Sequence, residues 1–384
     1  MATTKVRGEL VDLNEATSES GLKIPSGTEL NRPTAAAGQI RNNTNETSDG
    51  SASCEEYYNG TAWQKINNVP LPVYYRAVLY TGTGSTQSIT GLGFKPDLLW
   101  IKERDGTDAH FIQDSTRGST YTIYTNANSA QFNETQAVTS FDADGFTLGS
   151  YQGTNNNGNL FVAYGWQANG GNTSSNNDGS ATSTVQVNTA AGFSIAQMTW
   201  ASAGSIGHGL GSTPEFILLK ATSSAEDWQV YHTAMGTGNY MKLNDTAGIT
   251  ARADSFSTVN STIVTNSWTG ASVDWIMYSF VSVAGFSKFG SYTGNATAGQ
   301  AITTGFSPTW ILIKSTVGNA NWRLYDTTRG ITTGGFFRVQ ATNAEDTANA
   351  PNLDITATGF EINANGVFQG LNASGNLYIY AAFK

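Results

Sequence analysis

Charge is scarce in this chain. Asp, Glu, Lys and Arg make up 13% of its 384 residues, and the net charge of −9 is spread without a block of either sign. A phosphate-binding surface needs clustered Lys and Arg, so nucleic acid is not an expected partner. The single cysteine, Cys54, excludes an intrachain disulfide framework. Only three histidines occur, His110, His208 and His232, and no two have metal-ligand spacing. No apolar run approaches the roughly 18 residues of a membrane-spanning helix. The opening residues Met1 to Lys5 lack the apolar core of a signal peptide. No segment carries a 3.6-residue apolar period, so little helix is expected. No metal, cofactor or membrane insertion is implied, and no nucleophile elbow or repeated carboxylate pair marks an enzyme.

What is abundant points to sheet. The chain has 42 Gly, 9 Trp, 16 Tyr and 18 Phe, which suits short strands with aromatic cores joined by tight turns. One frame occurs three times. Pro96, Pro214 and Pro308 are each followed by a short, mostly apolar run and then by Lys102, Lys220 and Lys314. Eight positions later stands an aromatic (His110, Trp228, Trp322), and eight further a glycine (Gly118, Gly236, Gly330). Three copies with one internal spacing mean three copies of one structural unit. The continuous apolar run predicts a strand buried on both faces, with the proline at its start where no ladder donor is needed. The lysine is expected to carry its head from the strand end to water. Each copy closes on an aromatic strand: 160–164, 275–278 and 377–380.

Residues 1–72 differ. They are poor in apolar runs, and Asn59-Gly60 between aromatic segments signals a hairpin. Two or three short strands are expected there, too few to bury a core. The fold class is therefore all-β, with three tandem antiparallel β-sandwiches in a row, jelly-roll or concanavalin-like, after a hairpin-containing N-terminal segment. The boundaries are 1–72, 73–190, 191–284 and 285–384. The polar stretch 169–180 is expected to be an exposed loop or long hairpin.

The polar motif inside the frame is Asp114-Ser115-Thr116-Arg117-Gly118 in the first copy and Asp326-Thr327-Thr328-Arg329-Gly330 in the third. The second copy has His232 and Met235 instead. As a ligand site, Asp114 with Arg117, or Asp326 with Arg329, would grip a sugar or carboxylate beside Trp228 or Trp322. As a structural feature, the Asp caps a turn and the Arg pairs with it locally, and the copy without the pair favours this reading. Trp200 and Trp268 are further candidates for stacking on a sugar. Asp142-Ala143-Asp144-Gly145 begins like a calcium loop but has Gly153 where the twelfth-position Glu belongs, so it reads as a turn.

Two parts of the chain resemble tailed-phage material. The phrases Leu22-Lys23-Ile24-Pro25-Ser26-Gly27-Thr28, Arg32-Pro33, Gly38-Gln39-Ile40-Arg41-Asn42-Asn43-Thr44 and Tyr58-Asn59-Gly60-Thr61-Ala62-Trp63 resemble the head of phage fibre and appendage proteins. Residues 77–384 resemble a repeated β domain of unassigned function from marine phages, in phrases such as 285–294 and 326–330. The resemblance implies a virion structural protein, fibre or decoration subunit, assembled in the host cytoplasm. The core-poor segment 1–72 and the three tandem β units without an active-site constellation add the expectation of a homotrimer that docks to other virion proteins through residues 1–72. The alternative is a host-receptor or glycan-binding module, and a polysaccharide-degrading tailspike is a third.

Overall fold

The computed structural model describes residues 26–27, 39–43, 54–58, 60–65, 73–200, 204–267, 272–330, 335–347, 353–363 and 370–384. Two compact units divide at Pro72 and Val73. In the first, strands β1 (Ser26–Gly27), β2 (Ile40–Asn43), β3 (Cys54–Tyr58) and β4 (Trp63–Lys65) form one sheet in sequence order. The expected hairpin is β3–β4. Tyr58 pairs with Trp63, so the loop is longer than the two-residue turn that Asn-Gly suggests. The two rings lie 5.6 Å apart.

The second unit contains three copies of a two-layer sandwich. The first has β5 (Tyr75–Thr81), β6 (Gln87–Thr90), β7 (Leu98–Glu103), β8 (His110–Asp114), β9 (Gly118–Tyr124), β10 (Phe132–Asn133), β11 (Val138–Asp142), β12 (Gly145–Leu148) and β13 (Leu160–Trp166). The main sheet runs β10-β9-β8-β7-β13-β5, and β11-β12-β6 covers one face. The second copy has β14 (Ser174–Asn176), β15 (Ser183–Asn188), β16 (Phe193–Trp200), β17 (Gly204–Gly207), β18 (Phe216–Ala221), β19 (Gln229–His232), β20 (Asn239–Lys242), β21 (Thr250–Ala251), β22 (Thr258–Val259), β23 (Ile263–Asn266) and β24 (Val273–Phe280). The third has β25 (Ser287–Thr293), β26 (Gln300–Thr303), β27 (Trp310–Ser315), β28 (Arg323–Asp326), β29 (Phe337–Arg338), β30 (Leu353–Thr356), β31 (Gly359–Ile362) and β32 (Leu377–Phe383). All their named strand pairs are antiparallel, and the described helix is a single short turn at Gln152–Asn155 and a 3₁₀ turn at Thr233–Met235.

Two expectations need correction. Ser174–Asn188, assigned above to the first repeat and its loop, forms a hairpin on the edge of β16, so it belongs to the second sheet. The second correction concerns "in a row". The repeats follow one another in sequence but are packed round a common core in space. The apolar run after each frame proline is β7, β18 or β27, and every residue of these strands is buried. Side chains alternate between faces. Leu99 and Ile101 point into the first repeat's own sandwich, as Ile217 and Leu219 do in the second and Ile311 and Ile313 in the third. Leu98 and Trp100, Phe216 and Leu218, and Trp310 and Leu312 point the other way, into one cluster shared by all three repeats. There Trp310 meets Trp100 and Trp166 of the first repeat with ring centroids 6.2 and 5.7 Å apart, and Phe216 of the second stacks on Phe289 of the third at 5.7 Å.

The frame glycines Gly118, Gly236 and Gly330 have φ of 105°, 73° and 86°. A side chain is strained in that region, which is why the position is glycine in each copy.

Because the core is shared, Leu312→Ala should destabilise residues 73–384 as a whole, by about 2–5 kcal/mol. Calorimetry should show one cooperative transition moving down in temperature. A variant in which only the third repeat melts early, leaving a separate unshifted transition, would contradict a shared core.

Candidate functional site: the seams between the repeats

The frame aromatic is the first element of each seam. His110, Trp228 and Trp322 are all buried. Trp228 Nε1 of the second repeat donates to the Tyr124 carbonyl of the first at 2.7 Å. Trp322 Nε1 of the third donates to the Lys242 carbonyl of the second at 2.8 Å. His110 of the first faces the backbone of Arg338 in the third. Tyr124, Lys242 and Arg338 are matching positions, each in the strand that follows the frame's second strand. The three contacts therefore run in one rotational sense and close a ring.

The Asp–Arg motif is the second element. Asp114 Oδ2 accepts from Arg117 Nε at 2.5 Å and from Tyr278 of the second repeat at 2.7 Å. Its other oxygen accepts the Thr116 and Arg117 amides, and Arg117 also reaches Gln131. Asp326 likewise binds Arg329 and accepts from Tyr164 of the first repeat at 2.7 Å. The Arg329 guanidinium also stacks 3.9 Å above the Phe337 ring and pairs with Glu345, which in turn pairs with Arg104 across the seam. Burial, and then the neighbouring Asp, push the Tyr278 hydroxyl well above its usual range; for Tyr164, Arg329 opposes the rise that burial and Asp326 produce. Burial works against the Arg117 charge, but Asp114 and Tyr278 outweigh it and raise its pKa.

The third seam differs at all three positions. His232 and Met235 stand for Asp and Arg, and Ala381 stands where Tyr164 and Tyr278 stand in their strands; these three residues lie opposite Leu312, Trp100 and Leu218 of the matching frame strands. Loss of the anion, the cation and the hydroxyl together leaves neither half of the ion pair buried without the other.

All six candidate ligand contacts are accounted for by these seams. Asp114, Arg117, Asp326 and Arg329 are buried in the two clamps, and Trp228 and Trp322 in the interlock. Their polar atoms bind other parts of the same chain. Trp200 is buried against Trp275, and Trp268 lies outside the described residues. The residues that the sequence reading missed are Tyr164, Tyr278 and Glu345. The signal available was the joint change of Asp, Arg and Tyr to His, Met and Ala, displaced by one repeat.

The frame lysines do not reach water, contrary to expectation. Lys102, Lys220 and Lys314 are buried, and each ammonium donates to the carbonyl of the residue after it, at 2.7, 2.7 and 2.9 Å. A second carbonyl comes from Gly106, from Asn128 of the first repeat, and from Thr246 of the second, respectively. Burial lowers each pKa to about 8. The head group thus stitches loops together in place of snorkelling. The residue after the proline has a related role. Asp97 accepts the Ala168 and Gly170 amides and Glu215 accepts the Ser282 amide, so each grips the chain leaving its repeat. Asp144 accepts the Gly91 and Gly93 amides, as a turn residue does. Among the described residues, no group of three His, Cys, Asp or Glu is placed to hold a metal ion.

These features define an all-β protein whose three sandwiches close into one internally bonded ring. A family model described as "Domain of unknown function (DUF7483)" matches residues 72–384, and the chain belongs to that family. The match covers all three repeats and begins one residue before the compact unit. No curated protein and no solved structure matches the chain.

Asp326→Ala should leave the Arg329 cation buried without its closest partner and cost about 3–5 kcal/mol in denaturant unfolding. A loss below about 1 kcal/mol would show that the clamp contributes nothing to the fold. A pH dependence follows from the lysines. Their folded pKa lies below the ordinary 10.5, so between about 8 and 10 the unfolded chain binds more protons and stability rises with pH. Above about 10 the sign reverses, because tyrosines ionise in the unfolded chain while Tyr164 and Tyr278 stay protonated in the folded one. Melting temperature should therefore peak at about pH 9 to 10; a monotonic fall from about pH 8 would refute this.

Proposed function

We propose that this protein is a structural component of a tailed-phage virion, a fibre or decoration subunit without enzymatic activity. In this reading residues 73–384 are the rigid projecting body and residues 1–72 dock it to neighbouring virion proteins. The observation that carries the reading is the seam chemistry: the repeated polar residues are used to lock one repeat to the next. The resemblance of residues 21–63 to phage appendage heads supports the docking role. So does the make-up of that unit, whose described strands are two to five residues long. Because the body closes its threefold arrangement within a single chain, the proposed homotrimer is formed through residues 1–72.

A second reading, a host-glycan module, draws on a groove of about 420 Å3 beside the linker between the first two repeats. Its lining includes Tyr74, Gln167, Asn169 and Asn188, and an aromatic beside polar residues suits the C–H face and hydroxyls of a sugar.

Deletion of residues 1–72 should abolish incorporation into purified particles, while circular dichroism shows the body still folded. Particles that retain the truncated protein at full occupancy would sink the docking role. Binding of residues 73–384 to a glycan array, lost in Tyr74→Ala, would favour the second reading.

A further inference from the structure

Two of the three histidines occupy seam positions, and both seams belong to the third repeat. His110 replaces the interlock tryptophan between the first and third repeats. His232 replaces the clamp aspartate between the second and third. At the seam between the first and second repeats, the same two places hold Trp228 and the Asp114–Arg117–Tyr278 clamp.

The geometry at both histidines requires the neutral ring. His110 Nδ1 accepts from Trp100 Nε1 at 3.0 Å. His232 Nδ1 accepts from the Ala234 amide at 3.1 Å. A proton added at either Nδ1 would point at an N–H donor and break the bond. The other nitrogen, Nε2, is buried on both rings without a hydrogen bond of ordinary geometry to the described residues. The rings' surroundings add to this. His110 is flanked by two cations, Lys102 of its own repeat and Arg329 of the third, both set over the Phe337 ring that packs edge-on against the imidazole. The backbone of Arg338 faces the ring and favours its charge. His232 packs against Phe216 and faces the backbone of Tyr380. The surrounding elements carry Tyr380 and Glu215, whose carboxylate is held by Ser282, together with Lys220, Tyr231, Tyr240, Lys242 and Lys288. Burial lowers the His232 pKa to about 4 and that of His110 well below 6.5.

We propose that the third repeat is held by two acid-labile seams, which loosen together when His110 and His232 take up protons, while the seam between the first and second repeats keeps its strength. A histidine whose folded pKa lies below the ordinary value makes stability fall as pH falls through about 6.5 towards 4, because the opened state binds the extra proton.

Backbone amides that bond across the seams give the readout. Ile249 and Ala320 donate across the second–third seam, Glu345 across the first–third, and Gln131 across the first–second. Hydrogen exchange of the full chain, corrected for intrinsic rates, reports the opening of each. Between about pH 7 and pH 4.5, protection at Ile249, Ala320 and Glu345 should fall about tenfold or more beyond any fall at Gln131, as a shift of more than one pKa unit requires. It should recover on return to neutral pH. The double variant His110→Asn/His232→Asn keeps an acceptor near each Nδ1 position without a titrating proton, and it should lose the difference. His208→Asn, within the second sandwich, should keep it. Equal losses at all four amides in the wild-type protein, or a difference that persists in the double variant, would overturn the proposal. The wild-type comparison decides the matter even if the double variant does not fold.

Discussion

The constraint on which the structure depends is that the frame strand is buried on both faces. A sheet in a free-standing sandwich has one face in the core and one in water, and its strands alternate apolar with polar residues. Here the second face meets the other two repeats, so Leu98, Trp100, Phe216, Leu218, Trp310 and Leu312 converge in one cluster. Each repeat has its own small core and a share of the common one. Burial on this scale also traps polar groups. The frame lysines, the clamp carboxylates and the histidines have no access to water, and each must find its partner inside the protein.

The way those partners are found explains why the seams are unequal. A buried ion pair adds little net stability over a well-packed apolar contact, because desolvation offsets the attraction. Its value lies in directional, registered contact. The first–third seam joins repeats that are not neighbours in sequence, and it has the richest polar set: Tyr164, Asp326, Arg329, Glu345 and Arg104. The other two seams join repeats tethered by short linkers, which Asp97 and Glu215 hold in place. Register there is already restricted by the chain. The second–third seam has dispensed with the clamp altogether.

Much of the architecture was legible in the sequence. The tandem count, the all-β class, the doubly buried strand and the hairpin signalled by Asn59-Gly60 all rest on local pattern, and local pattern survives into the fold. The closure of the ring was not read, although its evidence was present: a continuous apolar run excludes a solvent-facing side for that strand. The lysines misled for a related reason. Lys after an apolar run ordinarily marks a strand end near water, but here a neighbouring repeat or the lysine's own loop covers that end. The boundary at 190 failed because Ser174–Asn188 has the composition of a loop, and only its edge pairing with β16 makes it strand. Seam partners such as Tyr164 and Asp326 are 162 positions apart, a separation that no local rule reaches.

Fusion of three copies in one chain has a consequence for how the seams diverge. In a ring of three identical chains, any change at the clamp appears at every seam at once, and replacing Asp by His would leave three buried tyrosine hydroxyls without their acceptor. In a single chain the three seams vary separately. His232, Met235 and Ala381 form such a separate variation, with the change on one repeat matched by the change on its neighbour. Closure within one chain also avoids the translational and rotational entropy that assembling three subunits incurs, so a weaker seam can be kept without loss of the ring. The body can therefore hold seams of different strength and different chemistry in a fixed order. That order is what a homotrimer of single repeats has no means to encode.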